Sequence, residues 1–120
     1  MLNCVVAPLV YAREVVLPST QRNPYEQRAW DAEITGLAER TTIELEMRVT
    51  DAQSLERRVN LKRRDDPSEH FMLLLADTHH NRRVLREHPT FFPALKRMTF
   101  TALSKLLAAG KHPPDCLVLV

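Results

Sequence analysis

"TTIELEMRVTDAQSLERRVNLKRRD", residues 41–65, changes period halfway along, and that change decides the fold class. Up to Val49 the residues alternate, with Ile43, Leu45, Met47 and Val49 on one side and Glu44, Glu46 and Arg48 on the other. Strict alternation marks a half-buried strand. From Thr50 the spacing is helical. Thr50-Asp51-Ala52-Gln53 reads as a capping box, and Ala52, Leu55, Val59 and the stem of Lys62 form an inner stripe that runs to about Arg64. Asp65-Asp66-Pro67 stops the helix, and "HFMLLLA" (70–76) follows as a continuous apolar run, the pattern of a strand covered on both faces. Strand, helix and strand in this order predict a right-handed parallel crossover.

Upstream, "RAWDAEIT" (28–35) also alternates, and residues 36–40 form a hairpin-length loop. An antiparallel hairpin of 28–35 with 41–49 is the economical pairing. It is expected to place Trp30, Ala32 and Ile34 beside Ile43, Leu45 and Met47. Asp31, Glu33, Glu44 and Glu46 would then share the opposite face. "REVVLP" (13–18) reads as a strand ended by Pro18, and "STQRNPYEQ" (19–27) as turn chemistry. Residues 1–11 are expected to be an N-terminal arm or the end of a missing upstream domain, and 12–120 a single domain.

Downstream, "DTHHNRRVLREHP" is expected to leave the strand as a short basic helix capped by Asp77 or Thr78. "TFFPALKRM" is irregular, "TFTALSKLLAAG" (99–110) is a helix stopped by Gly110, and "CLVLV" is a last strand. The expected class is α/β: a mixed sheet, with an antiparallel hairpin and parallel crossover strands, flanked by helices.

The 120 residues suit one core, and a net charge of +2 gives no overall argument for nucleic acid. Cys4 and Cys116 have no metal-type spacing and are expected to be free thiols. The N-terminal run lacks a basic start and is broken by Pro8 and Arg13, so neither an export signal nor a membrane span is expected, and the chain is read as cytoplasmic. The adjacent His79 and His80 diverge, which argues against zinc. Gly36 and Gly110 are the only glycines, too few for a phosphate-binding loop.

Two constellations remain. The four acids point either to a divalent-metal site or to a solvated face neutralised by Arg28, Arg40 and Arg48. Arg57, Arg58, Lys62, Arg63 and Arg64 put five cations in eight residues, reinforced by Arg82, Arg83 and Arg86. These point either to contact with a nucleic-acid backbone or to pairing with the acids.

The strings "EVVLP", "QRAWDAEI", "IELEMRVTDAQSLERRVNLKRRD" and "LLLADTHHNRRVLRE" resemble, in order, the C-terminal domain of helix-turn-helix (XRE-type) transcriptional regulators and antitoxins of high-GC Gram-positive bacteria. The element order also resembles the PD-(D/E)xK, restriction-endonuclease-like fold. The first resemblance implies an accessory domain of a DNA-binding regulator, acting as a homodimer without catalysis. Its partners would be DNA and a helix-turn-helix domain or a toxin protein, and no cofactor would be required. The second implies, as the alternative, a Mg²⁺- or Mn²⁺-dependent nuclease. Carried over by position, Glu14, Asp31, Glu44 and Glu46 would hold metal. Asp31, Glu44, Glu46 and Lys62 would be catalytic, with Lys62 substituting because Glu46 stands where the family has lysine. Arg57, Arg58, Lys62, Arg63, Arg64, Arg82 and Arg83 would contact nucleic acid.

Overall fold

The computed structural model of the protein describes residues 3–6, 9–16 and 29–120, with side chains from Trp30 onward. The turn expected at 19–27, the strand end at Pro18 and the side chains of Cys4, Glu14 and Arg28 therefore lie outside the described residues.

The chain is α/β. Seven strands, β1 (Asn3–Val6), β2 (Leu9–Val16), β3 (Ala29–Gly36), β4 (Glu39–Glu46), β5 (His70–Leu75), β6 (Lys96–Met98) and β7 (Cys116–Leu119), form one sheet in the order β1-β2-β3-β4-β5-β7-β6. The first four strands are an antiparallel meander, and β4, β5, β7 and β6 run parallel. Helix α1 (Ala52–Asp65) is the crossover from β4 to β5. Helices α2 (His79–Glu87) and α3 (Phe100–Ala108) belong to the later connections. Residues 3–6 and 9–16 are strands of this same sheet, so the boundary expected after residue 11 falls inside β2. The stretch expected to be irregular at 90–98 includes the short strand β6.

The continuous apolar run of β5 has the cause expected of it. Phe71, Leu73 and Leu75 pack with Leu55 and Val59 of α1, whereas Met72 packs with Leu103 of α3 on the other face. β7 alternates in the same way, with Leu117 on the α1 side and Cys116 and Val118 on the α3 side. Cys116 is a free, buried thiol. No helix among the described residues is long and apolar enough to cross a membrane.

Three local expectations are corrected. The cap of α1 is Asp51, whose carboxylate accepts the Ser54 N–H at 3.0 Å, one residue later than the Thr50 box. Trp30 does not share a face with Ala32 and Ile34; it packs with Val59 and Phe71 beneath α1. The β3–β4 ladder ends at Ala32 and Ile43, and beyond it the Asp31 carboxylate accepts the Leu45 N–H at 2.7 Å. With the ladder interrupted, the indole turns to the α1 side, where its N–H donates to Asp66 at 3.1 Å. A buried indole N–H needs such an acceptor. Leu45 and Met47, expected in the core, are 43% and 66% exposed.

Candidate functional site

Strand alternation puts Glu44 and Glu46 of β4 on the face that α1 covers. The inner stripe of α1 must then meet carboxylates as well as apolar side chains. It meets Glu44 with Lys62: Nζ donates to Oε2 at 2.5 Å, with Glu44 only 4% and Lys62 8% exposed. Lys62 Nζ also lies 5.7 Å from the centre of the Trp30 ring. Burial, followed by a hydrogen bond with Asp31, pushes the Glu44 carboxyl up to about 7 against the opposing pull of Lys62. The desolvation cost of an ionised carboxylate here exceeds what one lysine returns.

The other acids on this face are engaged as well. Glu46 receives Arg58 at 2.9 Å. Glu33 receives Arg40 at 2.6 Å, and the same guanidinium donates two hydrogen bonds, of 2.8 and 2.6 Å, to Asp66. Asp66 holds the Arg40 guanidinium above its ordinary range, with Glu33 adding to the effect. Asp66 thus accepts from both Trp30 and Arg40, which ties the end of α1 to β3 and β4.

The structure therefore brings Asp31, Glu44 and Lys62 together and turns Glu46 aside toward Arg58. Glu14 lies on β2 between Arg13, which pairs with Ala32, and Val15, which pairs with Trp30, so its backbone runs beside Asp31. A divalent ion takes several oxygen ligands. Among the described residues no group of three His, Cys, Asp or Glu side chains could hold a metal. Of the four acids expected to hold metal, Glu44 is met by Lys62 and Glu46 by Arg58, and the Glu14 side chain lies outside the described residues.

The cations expected to face nucleic acid are also distributed. Arg63 reaches Asp115 at 3.1 Å and stacks over Phe71. Arg64 contacts Asp65, Arg82 contacts Asp77 at 2.6 Å, and Arg83 lies 4.0 Å from Glu87. Arg57 is exposed on α1. The two histidines of "DTHH" diverge as expected: His79 is exposed, and His80 Nε2 lies 2.7 Å from the Val49 carbonyl.

Sequence reasoning missed two residues that organise the region. One is Asp66, taken only as a helix stop. The other is Asn81, fully buried, whose side chain accepts from Val49 N–H and donates to the Met47 and Ala76 carbonyls. A lone polar residue in a basic helix gave no periodic signal. Its place in the string "LLLADTHHNRRVLRE" did not supply its role. Comparison with family models, with curated proteins and with solved structures finds no match to this chain.

Proposed function

We propose that this chain is an accessory domain of a DNA-binding transcriptional regulator, working through association and contact with the DNA backbone rather than through catalysis. The observation that carries the non-catalytic part is the Glu44–Lys62 pair. The buried acid best placed for metal is already met by a cation from the crossover helix, 2.5 Å away. The regulator assignment draws on the ordered strings of β3, β4, α1 and α2 that resemble XRE-type regulators. Its narrower form is the antitoxin of a type II toxin–antitoxin pair, homodimeric and bound to a helix-turn-helix domain or a toxin. Arg57 and Arg58 are the residues assigned to DNA phosphates, since both lie exposed on α1.

A second reading, a divalent-metal-dependent nuclease of the restriction-endonuclease-like class, is favoured by one observation: the Asp31 and Glu44 carboxyls meet on a meander-plus-crossover sheet.

One set of measurements separates the two readings. Mg²⁺ and Mn²⁺ are titrated while thermal unfolding is followed, and plasmid DNA is incubated with the protein and each ion. The accessory-domain reading expects an unchanged midpoint and intact plasmid, because a ligand held only by the folded state would raise the midpoint. A saturable rise together with cleavage would transfer the assignment to the nuclease. Duplex binding at low salt should weaken steeply as salt rises, and Arg57→Ala with Arg58→Ala should flatten that slope. Absence of binding at low salt removes the DNA contact from the proposal.

A further inference from the structure

At the β6 edge of the sheet, at the carboxyl ends of β6 and β7, lies a cleft of about 410 Å³. In open α/β sheets the crevice beyond the carboxyl ends of parallel strands is where ligands bind, and this volume falls within the range of small-molecule sites. Its walls are mostly apolar, from Leu85 of α2, Leu117 and Leu119 of β7, Met98 of β6 and Phe100 of α3. Phe100 is 57% exposed among the described residues.

The polar groups at the rim are unequal. Asp77 lines the cleft, but both its oxygens are held by Arg82, at 2.6 and 2.8 Å. Its charge is therefore cancelled within the protein. Arg97 also lines the cleft, and its one described hydrogen bond is a long contact of 3.3 Å to the Phe91 carbonyl. Among the described residues Arg97 makes no ion pair. Thr99 Oγ accepts the Ala102 N–H, which leaves its hydroxyl proton to donate elsewhere. Thr101 adds a further hydroxyl to the lining. Among the described residues the lining is thus mostly apolar, with Arg97 as a cation that makes no ion pair and with the hydroxyls of Thr99 and Thr101 beside it.

We infer that this cleft binds a small organic anion, an apolar body of six to ten carbons (on the order of the cleft's capacity) carrying one carboxylate that pairs with Arg97. A guanidinium grips a planar carboxylate through two parallel hydrogen bonds, and it does so best beside apolar surface that excludes water. The site is independent of the acidic face and of the DNA proposal.

Octanoate is the probe, with octanamide as its uncharged twin. Each is titrated into the full chain while the methyl resonances of Met98, Leu117 and Leu119 are followed by NMR. Octanoate is expected to shift these methyls saturably and to bind at least tenfold more tightly than octanamide. Arg97→Gln should remove that tenfold preference and leave octanamide binding unchanged. Thr101→Glu should weaken octanoate alone. It sits on an exposed first turn of α3, where an acid favours the helix, so loss of folding does not confound it. The inference is overturned if octanoate shifts methyls elsewhere, if the two probes bind alike, or if Arg97→Gln leaves the preference intact.

Discussion

Glu44 is the residue whose chemistry is most altered by the fold, and its effect on stability has a definite sign. Its carboxyl sits at about 7 in the folded chain, against an ordinary 4.5. Between those values the folded state holds a proton that the unfolded chain has released. Stability should therefore fall as pH rises from about 4.5 to 7, by about 3 kcal/mol in all, and then level off. Denaturant melts across that window should show the decline in the native chain and not in Glu44→Gln. A flat native profile would remove the burial argument. Asn81 gives a second residue-scale test. Truncation to alanine leaves the Val49 N–H and the Met47 and Ala76 carbonyls without their partner, so Asn81→Ala should cost roughly 3 kcal/mol in urea unfolding. Asn81→Asp should not restore it, because a carboxylate cannot donate to the two carbonyls. Neither role could be read from the chain. The alternation of 41–49 identified the acids that would be buried together, but a raised pKa depends on which cation arrives and how dry the contact is.

At the scale of elements, the turn between β3 and β4 is strained. Leu37 and Ala38 both take positive φ, 55° and 59°, the geometry of a two-residue hairpin turn that favours Asn-Gly. Replacing Leu37 with Asn and Ala38 with Gly should stabilise the chain by about 1 kcal/mol, visible as a raised urea midpoint with an unchanged slope. A neutral or destabilising result would mean that the exposed Leu37 is held by something other than the turn. The elements themselves were largely legible in the sequence. The period change at Thr50, the covered run at 70–76 and the helix at 99–110 each reappear within a residue or two. What escaped was local and cooperative. The face of Trp30 was misjudged because alternation assumes an unbroken ladder, whereas Asp31 takes the place of a ladder acceptor at Leu45. The cap moved to Asp51 because Thr50 and Asp51 are both good capping types, and only backbone geometry chooses between them.

At the scale of the whole molecule, the sheet is covered unevenly. β5 and β7 are buried on both faces, and several fully buried side chains, such as Leu73, Leu75 and Val118, belong to them. Hydrogen exchange should therefore be slowest at the amides of 72–75 and 117–118 and faster along the short edge strand β6. Uniform protection across the sheet would contradict that ranking. The mixed architecture could be argued from element order alone, but the placing of β7 could not, since nothing in "CLVLV" says between which neighbours it lies. That placing governs the history of every copy made. Among the described residues β6 pairs only with β7, and β7 fills the gap between β6 and β5. While the polypeptide is still emerging from the ribosome, β5 presents a bare, greasy border and β6 has no companion until residues 116–119 are synthesised. Folding of this half of the molecule is thus postponed until residues 116–119 have been synthesised, and a chain cut short before them would carry its most adhesive edge uncovered.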